Sequence, residues 1–328
     1  MKILYGIQAT GNGHITRATE IIPLLQKKAQ VDVLMSGMQN SVSFPYPVKY
    51  RHYGLSFVSG KSGGIDYLMT YHKTKTLRFL NDLLKLPLED YDIIIQDFEP
   101  IIAWAGKLRG KAVIALSHQS AVINDSAPQP ELFDPLGKQI LKNYAPSKIE
   151  YGFHFQPYNE SIFTPVIRKS VRNIKPVNKG HYTVYLPSYQ DSALISYLSD
   201  YKKIRWHVFS RNAKNKYQHE NVSIFPTQQE TFLQSMSTSE GVLCGAGFET
   251  PAEALFLKKK LMVIPMKMQY EQQCNATALY QMGVDVIKSL TKENQNDLNN
   301  WLEKDEKTEV RFPDQTEHIL LQIIEKHS

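Results

Sequence analysis

Short apolar, β-branched runs recur along this chain, each followed by a helical pattern, and that alternation constrains the fold more than any other feature. It is the sequence form of βαβ units around a parallel sheet. In the first half the strands read 3–7, 31–35, 93–96 and 113–116. The pattern restarts with strands at 182–186, 205–209, 222–225, 241–243 and 261–264. Between the halves, residues 164–180 carry Pro165, Pro176 and four basic residues up to Lys175 without sustained periodicity, which marks a linker. With 328 residues the chain holds two domains of ordinary size. We expect a first domain over 1–166, a linker over 167–179, a second domain over 180–312 and a terminal helix over 313–328.

Ligands of open α/β sheets bind at the carboxyl ends of the strands. That rule gathers residues 11–14, 97–99 and 118–120 around one crevice. In the first loop, Gly11, Asn12, Gly13 and His14 stand between a strand and a helix expected to begin near Thr16. Glycines there permit a tight turn, and the helix start favours negative charge. A dinucleotide fingerprint fits poorly, because Thr16 replaces its third glycine and no acidic residue follows Met35-Ser36 to take a ribose. Ser59-Gly60-Lys61-Ser62 resembles the end of a P-loop, but the required glycine is one position off. We read 60–64 as a mobile loop.

Composition narrows the class. Apolar residues make up 42% and charged residues 21%, the balance of a soluble globular protein. No apolar stretch approaches the ~18 to 20 residues of a spanning helix, and residues 3–7 are too short for a signal peptide core. Cys244 and Cys274 lack CxxC or histidine spacing, so neither a disulfide framework nor zinc is expected, and a reducing, cytoplasmic setting fits. The net charge of +6 and a pI near 9.0 favour anionic partners such as sugar nucleotides or an acidic lipid surface. Residues 72–86 read as an amphipathic helix with Leu77, Leu80, Leu83 and Leu84 on one side. Packing on its own sheet is the plain reading, and contact with an anionic membrane is the alternative.

The second half carries the densest cluster of chemistry. After the strand at 241–243 comes Gly245-Ala246-Gly247-Phe248-Glu249-Thr250, placing a helix start at about Glu249 to Thr250. Its free N–H groups and the Thr250 hydroxyl suit a diphosphate, and Glu253, one turn in, suits ribose hydroxyls. The strand at 261–264 ends at Pro265, and beyond it Glu271 and Gln272 offer a carboxylate and an amide to sugar hydroxyls.

Gly247, Thr250, Glu253, Pro265, Glu271, Gln272, Asn275 and Ala276 stand in the order and spacing of one composite pattern. Here the chain resembles the nucleotide-sugar glycosyltransferases of GT-B fold, both the UDP-glucuronosyl and plant UDP-glycosyl transferases and the N-acetylglucosaminyltransferase that completes lipid II. The glycine-histidine loop at 11–14 adds a match in the other domain. The resemblance implies two doubly wound, Rossmann-like α/β domains facing across a cleft, acceptor on the first and donor on the second. The terminal helix, with Ile319, Leu320, Ile323 and Ile324 on one side, would cross back to the first domain. Thr250 would contact donor phosphate, Glu253 the ribose, Glu271 and Gln272 the transferred sugar, Asn275 the same donor site, and the turn at Phe225 the base. His14 aligns with the general base, and Asp97 with a carboxylate orienting it. His118 lies in a stretch similar to one in the lipid II enzyme.

A single displacement with inversion follows from that scheme, without a metal or other cofactor. The expected partners are a nucleotide-sugar donor, UDP first among them, and a glycan, lipid-linked or small-molecule acceptor, with no nucleic acid. The chain departs from the UDP-glycosyltransferase signature at Gly245, where that signature has a histidine. It also has Pro187-Ser188-Tyr189-Gln190 where the lipid II enzyme has a glycine-serine loop. Other readings stay open: His14 as a structural cap, His118 as an ordinary loop histidine, and Asp97 or Glu99 as caps of a helix starting near Pro100. So do a sugar-nucleotide 2-epimerase and a non-catalytic partner subunit of the same fold.

Overall fold

The computed structural model describes residues 1–37, 44–55, 58–59, 65–66, 76–130 and 134–328. The chain divides into two compact units. One comprises Met1–Ala127, Leu132–Arg168 and Pro313–Ser328, the other Pro128–Glu131 and Lys169–Phe312. Within the segment expected as the interdomain linker, the division falls after Arg168, and residues from Lys169 onward group with the second unit.

In the first unit β1 (Lys2–Gln8), β2 (Gln30–Ser36) and β3 (Tyr50–His52) precede a small antiparallel pair, β4 (Val58–Ser59) and β5 (Ile65–Asp66). Then come β6 (Ile93–Asp97), β7 (Ile114–Ser117), β8 (Ile149–Phe153) and β9 (Ile162–Phe163). The main sheet runs β3-β2-β1-β6-β7-β8-β9, parallel throughout. Its helices are α1 (Asn12–Gln26), α2 (Thr76–Lys85), α3 (Pro100–Arg109), α4 (His118–Val122) and α5 (Pro135–Tyr144). Strand order reverses direction between β1 and β6, and such a switch point opens a crevice at the strand carboxyl ends.

The second unit repeats the plan. It holds α6 (Lys169–Arg172), β10 (His181–Tyr185), α7 (Asp191–Leu198), β11 (Arg205–Ser210), β12 (Tyr217–His219) and β13 (Val222–Pro226). It continues with α8 (Gln229–Thr238), β14 (Gly241–Gly245), α9 (Glu249–Phe256), β15 (Lys260–Ile264), α10 (Tyr270–Gln281), β16 (Asp285–Val286) and α11 (Gln295–Glu303). The order is β12-β13-β11-β10-β14-β15-β16, with the switch between β10 and β14. Its core gathers Tyr182, Trp206, Leu243, Met262 and Trp301. The last helix, α12 (Thr316–His327), packs on α1 in the first unit, where Lys27 and Glu317 pair at 2.9 Å.

The inner strands form where long apolar runs can be buried on both faces. Every residue of β6 is buried, as are Ile3 to Gln8 of β1. One face of β1 lies so close to α3 that a Cβ on Gly6 would meet Ile102 Cδ1 at 2.6 Å. Two expectations are corrected. Helix α1 starts at Asn12, not near Thr16, because Gly11 is extended and already serves as its N-cap. On α2, Leu83 is buried with Leu86 following it and Phe79 packs against them, whereas Leu77, Leu80 and Leu84 are 85%, 47% and 73% exposed. Residues 79, 83 and 86 form the true inward stripe, and Arg109 fixes its roll by donating to the carbonyls of Leu83, Leu84 and Leu86. The loop at 60–64 lies outside the described residues.

Helix α4 sits directly on β8. A Cβ at Gly152 would stand 2.6 Å from both the Cβ and the backbone nitrogen of Ala121, leaving no flexible atom to yield. Gly152→Ala should therefore destabilise the protein by about 1–3 kcal/mol. Urea unfolding reads this as a lower midpoint at unchanged slope, and an unmoved midpoint would contradict the close approach.

Candidate active site

Strand β1 delivers the chain to Ala9-Thr10-Gly11, and α1 starts at once. A Cβ at Gly11 would meet nothing within 4 Å, so the helix start is open. Asn12, Gly13 and His14 form its first turn. In the neighbouring strand Ile7 aligns with Asp97, whose side chain shares a sheet face with Ile93 and Ile95 and lies beneath α1. The two elements meet there: His14 Nδ1 is 2.8 Å from Asp97 Oδ1. The His14 side chain keeps 12% of its exposure, while Asp97 has none.

A third side chain completes the cluster. Arg17, one turn after His14, donates from Nε to Asp97 Oδ2 at 2.9 Å and from Nη2 to Oδ1 at 2.7 Å. Burial, the largest influence, pushes the Asp97 carboxyl up, but the Arg17 charge and the hydrogen bonds from His14 and Arg17 hold it below the ordinary value. Arg17 was not among the residues expected from sequence. Its signal was positional: it occupies the buried side of α1 with Ala18, Ile21 and Leu25, where a cation needs a partner.

Phe98, next in the chain, has φ 53°, a left-handed conformation that costs a bulky residue roughly 1–3 kcal/mol. Its ring stacks on Tyr144 at 4.5 Å and lies parallel to His14 at 6.1 Å. Tyr144 accepts from Gln8 Nε2 at 3.2 Å and donates to the Leu55 carbonyl. Glu99 caps α3, accepting from the N–H groups of Ile101 at 2.9 Å and Ile102 at 2.7 Å. His118 opens α4 in the interior, with Nδ1 donating to the Phe153 carbonyl at 2.8 Å.

In the second unit the composite motif falls on two adjacent strands, since Gly245 of β14 aligns with Ile264 of β15. Gly247 stands in open space just before α9. Thr250 is the second residue of that helix, half-buried, and Glu253 lies buried one turn further. Asn275, wholly buried on α10, donates to the Ala246 carbonyl at 3.1 Å and so pins the glycine loop. Gln272 accepts from Met266 N at 3.0 Å, holding the turn after β15, while Glu271 is half-buried in the first turn of α10. The structure brings these residues together at the carboxyl ends of β14 and β15. Phe225, the last residue but one of β13, is separated from β14 by β11 and β10, and stacks on Phe209 at 5.3 Å with the Lys216 ammonium 4.8 Å from its ring centre. Cys244 and Cys274 are buried free thiols. Among the described residues, no three His, Cys, Asp or Glu side chains gather to hold a metal, and no helix is long and apolar enough to cross a membrane.

The profile of glycosyl transferase family 1 matches residues 1–304. The chain belongs to glycosyl transferase family 1. No curated protein matches it. Among solved structures it is similar to Arabidopsis thaliana UGT89C1 complexed with UDP-L-rhamnose, with a TM-score of 0.61 and 15% identity over 99% of this chain and 94% of that one. MurG of Acinetobacter baumannii gives 0.59 and 16% over 99% and 100%. The spinosyn forosaminyltransferase SpnP gives 0.56 and 11% over 100% and 95%. At these identities the likeness is one of fold, and the fold is GT-B, as expected from the sequence.

Glu99 gives this family member a pH-dependent stability. Burial raises its carboxyl from 4.5 to about 7, against the hydrogen bonds it accepts. The folded state thus binds this proton more tightly than the unfolded chain. Its contribution is fully present below about pH 4.5 and is lost as pH rises through about 7. Between pH 5 and 8 the wild type should lose stability relative to Glu99→Gln by on the order of 2 to 3 kcal/mol. Denaturant titrations at several pH values check this, and parallel curves for the two proteins would refute it.

Proposed function

We propose that this chain transfers a sugar from a nucleoside diphosphate donor, UDP-linked in the first instance, to an acceptor hydroxyl with inversion at the anomeric carbon. The observation that carries the reading is the 2.8 Å contact between His14 and the fully buried Asp97 at the β1–β6 switch point. An acceptor-only carboxylate at Nδ1 favours the tautomer with its proton there, leaving the Nε2 lone pair to act as base. The acceptor oxygen loses its proton to Nε2 and bonds to the anomeric carbon. The bond from that carbon to the diphosphate oxygen breaks, and its electron pair departs with the diphosphate.

The first N–H groups of α9, behind Gly245 and Gly247, suit that departing charge, with Thr250 beside them. Glu253 takes the ribose, Phe225 the base, and Glu271 with Gln272 the transferred hexose or N-acetylhexosamine. Asn275 serves the donor site by holding the loop. The solved relative bound to UDP-L-rhamnose supports a UDP donor. No step of this scheme needs a metal or cofactor. The acceptor is a glycan, lipid-linked or small-molecule hydroxyl compound, with the enzyme in the cytoplasm and working for the cell envelope. Exposed Leu77, Leu80 and Leu84, with Arg78 and Lys85 on the same helix, suit peripheral contact with an anionic bilayer.

Calorimetric titration with UDP, GDP, CDP and dTDP tests the donor site. UDP should bind selectively, and Glu253→Ala should abolish that binding. Binding of no nucleotide would move the chain to a non-catalytic role. With the donor in hand, His14→Gln should lower kcat by roughly 10²- to 10⁴-fold with little change in donor KM. Donor converted to its epimer without acceptor would instead mark an epimerase. Co-sedimentation with anionic vesicles should fall in Leu80→Glu/Leu84→Glu, and binding equal to wild type would remove the membrane contact.

A further inference from the structure

His14, Asp97 and Arg17 meet at the end of β6, and the base with its carboxylate accounts for two of them. Arg17 is 3% exposed, and a charge so placed is tolerated only when paired and hydrogen-bonded. Its planar fork grips both oxygens of Asp97, with Nε on Oδ2 and Nη2 on Oδ1. The Phe153 ring centre lies 5.8 Å from its guanidinium carbon.

The fork bears directly on His14. Nδ1 of His14 has Asp97 Oδ1 at 2.8 Å and Arg17 Nη2 at 3.1 Å. A carboxylate only accepts and a guanidinium only donates, so Nδ1 cannot satisfy both. The nearer carboxylate makes Nδ1–H the donor. Charge leads the same way. Asp97 and Arg17 cancel before the imidazole is counted, so the buried cluster is neutral with His14 neutral. Without Arg17, the buried carboxylate would draw its balancing charge from His14 as a second proton. An imidazolium has no lone pair to accept a proton from a hydroxyl.

We propose that Arg17 is a positioning residue: by neutralising Asp97 and gripping both its oxygens, it keeps His14 a neutral Nδ1–H imidazole with Nε2 free as the base. This rests on the role proposed for His14, yet its first readout needs no substrate. Two substitutions separate charge from geometry. Arg17→Lys keeps the charge and loses the fork, while Arg17→Gln keeps a donor for Asp97 and loses the charge.

The test uses the full chain labelled with ¹⁵N-histidine, in which long-range ¹H–¹⁵N correlation distinguishes the two neutral tautomers from the imidazolium, and His14→Gln identifies the signal. Near neutral pH the wild type should show the Nδ1–H form. Arg17→Met and Arg17→Gln should show a doubly protonated ring, and Arg17→Lys a neutral ring without a single tautomer. If Arg17→Met fails to fold, Arg17→Gln carries the same expectation, with circular dichroism verifying its fold. A neutral Nδ1–H ring in folded Arg17→Gln overturns the proposal. In donor turnover, kcat should fall about ten- to a hundredfold in Arg17→Gln at nearly constant donor KM, with partial recovery in Arg17→Lys. The expected spectra with no turnover by the wild type would sustain Arg17's role and sink the transferase reading. Unchanged spectra with normal turnover would do the reverse.

Discussion

Asp97 ends a strand whose every residue is buried, so its charge exists only because Arg17 and His14 reach it from α1. That requirement fixes much around it. The register of β1 against β6 must place Asp97 beside Ile7, on the face turned to α1. The helix must start at Asn12, because only then do His14 and Arg17, three residues apart, sit one above the other on the same face. A helix starting at Thr16 would leave His14 in the loop, out of step with Arg17. Gly11, in an extended conformation, is the N-cap of α1, and nothing lies within 4 Å of the place where its Cβ would stand.

The second unit meets the same topological problem with side-chain amides. Its glycine loop is held by neutral amides: Asn275 on the Ala246 carbonyl, and Gln272 with Gln273 on the two backbone groups of Met266. Residues that look like ligands in a motif thus divide by task. Asn275 spends its donor on the loop, and Gln272 spends its carbonyl on the next turn. Thr250 and Glu253 lie on α9, which begins two residues after Gly247. A loop held by amides keeps its shape across pH, whereas the cluster under α1 depends on the charge state of each member.

The inner strands were legible because a parallel sheet covered on both faces demands continuous apolar runs. Strand β8 was not, since Glu150, Tyr151 and Gly152 break the run, the glycine being required by the approach of α4. The two-residue and three-residue edge strands are too short for any period to show. On α2 the leucines at 77, 80 and 84 drew the eye, but amphipathicity does not say which stripe faces the protein when two exist, and Arg109's bonds settle that from outside the helix. His14 and Asp97 could be singled out because strand ends and glycine loops mark ligand crevices. Their mutual contact could not, and Arg17 was hidden because a basic residue on a helix is ordinarily a surface residue.

The members of the cluster differ in what their loss would leave behind. Removing Arg17 takes away the fixed charge that matches the buried carboxylate, and removing Asp97 strands a buried guanidinium, so stability already requires each of the other. His14 is different. It is the member with exposed surface, and its absence would leave a balanced ion pair beneath α1. Stability therefore accounts for Asp97 and Arg17 without any chemistry, but it does not account for an imidazole at the open start of the helix, bonded on one nitrogen to a carboxylate that is already paired. The arrangement makes sense if the other nitrogen is meant to meet a proton, and that is why His14, rather than the more deeply buried pair beneath it, carries the functional reading.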